Sequence, residues 1–157
     1  MLTDVVNSRR VLYVDVKDDL TDIQELNLTN WILFVIENDE KNPILEQFVN
    51  LCIDKEVMYV TAVGDAGIKV HDLFDEVMLE REITGLSIPA WMIDQDDVLM
   101  TTWDDSLEEG YWFITHAANY NSLTIETVLV ANLTPIDYLS AIKDLSKEMN
   151  SGWTPLG

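Results

Sequence analysis

Five apolar stretches divide the chain, and a polar turn follows each of them. Trp31–Ile36 and residues 57–63 are the clearest, because almost every position in both is apolar. The other three cover residues 10–16, 98–103 and 124–133. Continuous rather than alternating hydrophobicity is typical of strands whose sheet is covered by helices on both faces. The pattern therefore predicts five β-strands.

Between these stretches, apolar residues recur at the spacing of one helix face. Helices are expected within residues 20–28 and 43–55, after residue 67, after residue 106 and over residues 136–149. Asn42 is the expected N-cap of the second of these, with Pro43 at its first position. Ser106 and Glu109 have the spacing of a capping box. Each helix is thus predicted to present one apolar stripe to the sheet.

Strands that alternate with helices and are joined by short turns predict an α/β fold. We expect a three-layer sandwich with a mainly parallel five-stranded sheet, Rossmann-like or flavodoxin-like, in one domain over residues 1–157. The pattern leaves the strand order open. Residues 83–95 show no periodicity, and Gly85, Pro89 and Trp91 predict a partly ordered loop that serves as a lid, a brace or a docking segment.

The composition is strongly acidic, with 29 Asp and Glu residues against 9 Lys and Arg and a formal net charge of −20. Such a surface repels nucleic acid and anionic membranes, and it speeds encounter with a cationic partner. Acidity that serves only solubility is the simpler explanation. Apolar residues make up 48% of the chain, which argues against disorder.

The location is expected to be cytoplasmic. No apolar run approaches the roughly 20 residues of a membrane span. The N-terminal segment places its charges after its apolar residues, which is the wrong order for a secretory signal. Composition leaves the oligomeric state open.

Candidate catalytic groups are few. Cys52 is the one cysteine and lies on the apolar stripe of the 43–55 helix, so we expect a core residue rather than a nucleophile. His71 and His116 lie on different helices, and no zinc or hydrolase motif includes them. The turn that begins at Gly64 lacks the lysine and the spacing of a phosphate-binding loop. The sequence therefore favours a protein without catalytic activity and does not decide the point.

Carboxylates stand at the ends of most predicted strands, where open parallel sheets bind their ligands. Asp15, Glu37 and Asp65 are the residues that could ligate Mg²⁺ if they meet in space. Acidic residues also collect at turns because they cap helices and end strands, and that explanation needs no metal. No other cofactor is expected.

A second acidic group combines Asp104, Asp105, Glu108 and Glu109 with Trp112, which lies off the apolar stripe of its helix. An aromatic side chain within an acidic field is typical of the centre of a protein interface, although core packing is the alternative. These five residues are the predicted partner-binding site.

The leading functional hypothesis is a small acidic interaction module that binds and neutralises or regulates a basic protein, as an immunity or inhibitor protein does. One alternative is a Mg²⁺-dependent nucleotide-binding enzyme or sensor of Rossmann-like type, with carboxylates at the strand ends. Another alternative is a subunit of a larger assembly that uses its aromatic residues as a permanent interface.

Overall fold

A computed structural model describes residues 3–92 and 97–156, and there a six-stranded sheet carries helices on both faces. The strands are β1 (Thr3–Val6), β2 (Arg9–Asp15), β3 (Trp31–Ile36), β4 (Tyr59–Val63), β5 (Met100–Asp104) and β6 (Thr127–Asn132). Their order across the sheet is β1-β2-β6-β3-β4-β5. All neighbours are parallel except β1 and β2. The predicted three-layer α/β sandwich is confirmed, with one strand more than expected.

Helices fill the connections. They are α1 (Thr21–Gln24), α2 (Leu45–Asp54), α3 (Gly67–Thr84), α4 (Leu107–Trp112) and α5 (Leu139–Asn150), with a 3₁₀ turn at Ala90–Met92. A π-helical turn, Phe113–Ala117, continues α4. Apolar residues of α1, α2 and α3 pack on one face of the sheet, and those of α4, the π-helical turn and α5 pack on the other. Strands β3 and β6 lie between the two layers and are buried along their whole length.

The extra strand, β1, forms an antiparallel hairpin with β2. Asn7 and Ser8 connect the two strands with φ angles of 51° and 64°. Positive φ at both central residues is the geometry of a two-residue turn that matches the twist of the strands. Little in the sequence indicates this hairpin, because β1 is only four residues long and its turn contains no glycine.

Two helices begin later than predicted. The Oδ1 atom of Asn42 accepts a hydrogen bond from the N–H of Ile44 (3.1 Å), which closes a turn before α2, so Pro43 lies outside the helix. Similarly, the Oγ1 atom of Thr134 accepts from the N–H of Ile136 (3.1 Å), and α5 starts after this turn. Ile136 is consequently exposed instead of belonging to the apolar stripe. In both places a local side-chain bond competes with the first helical turn.

The predicted N-cap of α4 is confirmed, because Ser106 Oγ accepts from the N–H of Glu109 (3.2 Å). The reciprocal bond of the capping box is made by another residue: Asp104 Oδ1 accepts from the N–H of Ser106 (2.9 Å). The end of β5 and the start of α4 are therefore fixed to each other. Cys52 is fully buried, and burial raises the pKa of its thiol, as expected of a core residue.

The segment of uncertain role, residues 83–95, is described as far as residue 92. The helix α3 runs into it and ends at Gly85, whose φ of 73° suits glycine. Arg81, buried at the end of α3, donates to Ser87 O (2.9 Å) and to Asp54 Oδ1 (2.8 Å). Trp91 Nε1 donates to the carbonyl oxygen of Val57, which lies just before β4 (3.3 Å). This part of the segment is thus tied to the end of α3 and to the residues before β4, and residues 93–95 lie outside the described residues.

The topology leaves clefts at the end of the sheet where the parallel strands have their C-termini. Chain segments that follow β2, β3 and β4 pass to one face of the sheet, whereas those that follow β5 and β6 pass to the other. Adjacent strands whose connections diverge leave a cleft, the usual ligand position of such folds. One cleft lies between β2 and β6, a second lies between β6 and β3, and a third lies between β4 and β5.

Candidate functional site

The predicted Mg²⁺ ligands lie along one edge of the sheet without converging. Asp15 ends β2, Glu37 follows β3 and Asp65 follows β4. Since β6 is inserted between β2 and β3, Asp15 and Glu37 are two strand spacings apart, roughly 10 Å. Within residues 3–92 and 97–156, no three His, Cys, Asp or Glu side chains are grouped so that they could hold a metal ion. The structure thus does not bring these three carboxylates together as a ligand set.

Glu37 is buried and braces the turn between β3 and α2. Its Oε1 atom accepts from the N–H groups of Asn38 and Asp39, both at 3.0 Å, and Oε2 accepts from Asn42 Nδ2 at 2.9 Å. Burial raises the pKa of the Glu37 carboxyl, and the three hydrogen bonds oppose that shift. All of these partners belong to the same turn, so the geometry gives Glu37 a structural role.

Asp15 belongs to a polar network in the cleft between β2 and β6. Its Oδ1 atom accepts from the hydroxyl of Tyr13 (2.7 Å) and from Asn132 Nδ2 (2.9 Å). The side-chain oxygen of the buried Asn132 accepts from the N–H and the hydroxyl of Thr134, at 3.1 and 2.8 Å. Open cavities of about 490 and 550 Å³ lie beside this network, and Asp15 lines both.

This cleft offers hydrogen bonding rather than acid–base chemistry at neutral pH. Burial, together with the hydrogen bond to Asp15, raises the pKa of Tyr13 to about 12, so its hydroxyl stays protonated. Sequence reasoning missed Asn132 and Thr134. The available signal was a polar residue directly after the apolar residues 128–131, and its partners were not evident from the chain.

The predicted partner-binding residues do lie together. We call Asp104, Asp105, Glu108 and Glu109 the acidic corner, because they join the end of β5 to the first turn of α4. Three of the four are exposed, and Asp104 is half-buried. Trp112 lies one helical turn after Glu108, on the same side of α4.

Trp112 is half-buried and stacks on His116, with ring centroids 5.1 Å apart and planes 3° from parallel. Burial lowers the pKa of His116, which keeps its imidazole neutral at pH 7. The more exposed tryptophan is Trp103, on β5 directly before the acidic corner, with 43% of its surface accessible. The sequence pattern assigned Trp103 to a buried strand and so missed it.

The acidic corner has no basic counterpart in the part of the chain that the structure describes. Ion pairs there join Arg81 to Asp54, and His71 to Asp72 and Asp75. None involves the corner. Arg81 is moreover buried, as is Arg9, which removes two of the few cations from the surface. The carboxylates of the corner are consequently available to cations from outside the chain.

The comparisons with known proteins assign a family. A family described as "Domain of unknown function (DUF7684)" matches residues 10–149. The chain belongs to this family. The match covers the parallel strands and the helices between them, while the hairpin strand β1 precedes it. No curated protein and no solved structure matches the chain.

Across residues 3–92 and 97–156, no helix has both the length and the apolar character needed to cross a bilayer.

Proposed function

We propose that this DUF7684 protein is a binding module that captures a basic protein through its acidic corner and thereby neutralises or regulates it, in the manner of an immunity or inhibitor protein. One observation carries the proposal. The acidic corner presents exposed carboxylates, without an ion-pairing partner among the described residues, and it directly follows Trp103 in the chain, whose ring is accessible.

The electrostatics favour a cationic partner. Carboxylates crowded at one corner of a chain with a net charge of −20 repel one another, and a basic partner relieves that repulsion. Complementary fields also raise the association rate by about 10- to 1,000-fold at low salt. This gain falls as ionic strength rises, because salt screens exposed charges.

The aromatic side chains supply binding energy that attraction between charges alone does not. Energetic centres of protein interfaces are rich in Trp and Tyr surrounded by polar residues. Trp103 and the partly exposed Trp112 flank the acidic corner on β5 and α4. We therefore assign the rate of association to the carboxylates and much of the lifetime of the complex to the two tryptophans.

The test is affinity capture from the native host lysate at low and high salt, with three versions of the tagged chain. The first is the wild type and the second is Asp105→Lys/Glu108→Lys. The third, Asp144→Lys/Glu148→Lys, reverses two exposed acids on α5, which packs against β1 at the opposite edge of the sheet. Each pair of reversals adds four charge units and changes the net charge from −20 to −16, so the variants differ only in where the charge lies.

We expect the wild type and the α5 variant to retain one stoichiometric basic protein at low salt, and the corner variant to lose it. Equal losses with both variants would mean that net charge, rather than the corner, drives binding. Undiminished capture by the corner variant would refute the assignment of the site. A partner that stays bound in high salt would indicate instead a permanent assembly held by the aromatic residues.

A further inference from the structure

Among the described strands, β5 forms one edge of the sheet, with β4 as its single neighbour. The hydroxyl of Tyr120 bridges the starts of β4 and β5. It accepts from the N–H of Met100 (3.2 Å) and donates to the carbonyl oxygen of Met58 (2.5 Å). The N–H of Met100 therefore faces β4. Backbone groups alternate in direction along a strand. Thr101 and Trp103 therefore direct their N–H and C=O groups away from the sheet.

The two edges of the sheet differ in their protection. On β1, the opposite edge, Asn150 Nδ2 of α5 donates to the carbonyl oxygen of Val5 (3.0 Å), and α5 packs against the strand. Natural sheets commonly protect their edges with Lys, Pro, a bulge or a covering segment. The residues of β5 include neither Lys nor Pro, and no described strand lies beside its outer side.

A groove runs along this open edge between β5 and α3. It encloses about 270 Å³, and its lining includes Leu79 of α3 and Val98 before β5, which are 57% and 53% exposed. Asp75 and Glu82 of α3 contribute carboxylates to the same groove. At the far end of β5 the acidic corner continues the negative charge. The edge thus combines backbone groups that no described residue pairs with, exposed apolar side chains and acidic flanks.

We propose that β5 accepts an extended segment of the partner, rich in Lys or Arg and in apolar residues, as a seventh strand of the sheet. This inference rests on the proposed function and specifies how the basic partner is bound. In strand addition, backbone hydrogen bonds supply affinity, and alternate side chains of the added strand occupy pockets that supply specificity. Side chains on one face of the added strand would enter the groove, with apolar groups against Leu79 and cationic groups near Asp75 and Glu82.

Charge selects this occupant over a second copy of the chain. An antiparallel pair of β5 strands would bring two molecules of net charge −20 together edge to edge. Centred on Thr102, such a pair would also place the Asp104 carboxylates at both ends of the contact. A basic segment meets the same carboxylates with attraction, so complementarity favours a heterologous strand.

Two substitutions at one position test the pairing. Thr101→Pro removes the outward N–H of β5 while leaving the ladder to β4 intact, and proline is tolerated at such an edge position. Thr101→Val keeps the N–H but, like proline, loses the hydroxyl that donates to Asp75 Oδ1 (2.6 Å). The difference between the two variants therefore reports on the backbone donor.

The probe is an N-acetylated, C-amidated octapeptide that repeats Lys-Lys-Val-Val, so that Lys and Val alternate along each face of the added strand. It is titrated into the full chain at low salt and followed by calorimetry. We expect Thr101→Pro to weaken binding about tenfold, the equivalent of roughly one backbone hydrogen bond, and Thr101→Val to change it less than about threefold. Amide hydrogen exchange of the wild type gives a second readout that needs no variant. The peptide should protect the N–H groups of Thr101 and Trp103 and leave that of Thr102 unchanged.

The outcomes separate this inference from the proposed function. If Thr101→Pro binds the peptide as the wild type does, while Asp105→Lys/Glu108→Lys does not, strand addition is wrong and the acidic corner stands. If the wild type fails to bind the peptide or shows no new protection on β5, the inference is overturned, and lysate capture still judges the corner. A wild-type dimer abolished by Thr101→Pro but not by Thr101→Val would assign the edge to a second copy instead.

Discussion

Arg9 offers the sharpest test of how the structure holds its N-terminal hairpin. The guanidinium is buried at the start of β2, and burial lowers its pKa. It donates to the carbonyl oxygens of Ile114 (2.7 Å) and Ala118 (2.8 Å) and to Asn119 Oδ1 (2.5 Å). These acceptors lie at the end of the π-helical turn, where a cation also meets the negative end of the helix dipole.

Arg9→Lys keeps the positive charge and removes the planar guanidinium, which donates to several acceptors at once. A lysine ammonium is a compact point donor on a flexible stem, so we expect it to satisfy one of the three acceptors. A hydrogen bond to a charged group contributes about 1.5–3 kcal/mol. At the low end of that range, the loss of two such bonds lowers the free energy of unfolding by about 3 kcal/mol.

Urea denaturation followed by tryptophan fluorescence measures the effect. With a slope of about 2 kcal/mol per molar urea, the midpoint should fall by about 1.5 M. Arg10→Lys is the matched control, because the neighbouring Arg10 is exposed and its replacement should shift stability by less than about 0.5 kcal/mol. Equal midpoints for the two variants would refute the role assigned to the Arg9 contacts.

Three further predictions concern single elements. Gly110→Ala should lower the free energy of unfolding by up to about 2 kcal/mol in a thermal melt. The new Cβ would lie 2.6 Å from Val63 Cγ1, and overpacking of about 1–3 kcal/mol opposes the roughly 1 kcal/mol gain in helix propensity. Ser106→Ala should cost about 1 kcal/mol through the lost cap of α4, measured by urea titration, with Ser106→Thr retaining most of it. Burial raises the folded-state pKa of Glu37, so the native state holds the carboxyl proton more tightly than the unfolded state does. The contribution of Glu37 to stability should therefore fall as pH rises from about 4.3 through the folded pKa. Glu37→Gln should abolish this pH dependence, as measured in melts at several pH values.

Much of the candidate site could be located from the sequence, and its environment could not. The residues of the acidic corner are consecutive or one helical turn apart, so their proximity follows from local geometry. The exposure of Trp103 was missed, because it depends on β5 being an edge strand. An apolar run indicates burial only if both sides of the strand have neighbours, and local sequence does not reveal where the sheet ends.

The Mg²⁺ hypothesis failed to gain support for a related reason. A carboxylate at the end of each strand is a property of the chain, but whether two of them meet depends on which strands are adjacent. Insertion of β6 between β2 and β3 placed Asn132, rather than Glu37, beside Asp15. Asp15 and Asn132 are 117 residues apart in the sequence, so no local pattern records their contact.

Local sequence was enough to specify the class of fold, the bounds of β3, the cap of α4, the burial of Cys52 and the excess of negative charge. Each of these follows from residues within one element, where hydrophobic period and side-chain capping act over a few positions. The tertiary structure alone decided the strand order, the hairpin β1–β2, the contacts of Arg9 and the open edge at β5. These depend on pairing and hydrogen bonding between segments distant in the chain, and their free energy exists only once the sheet has assembled.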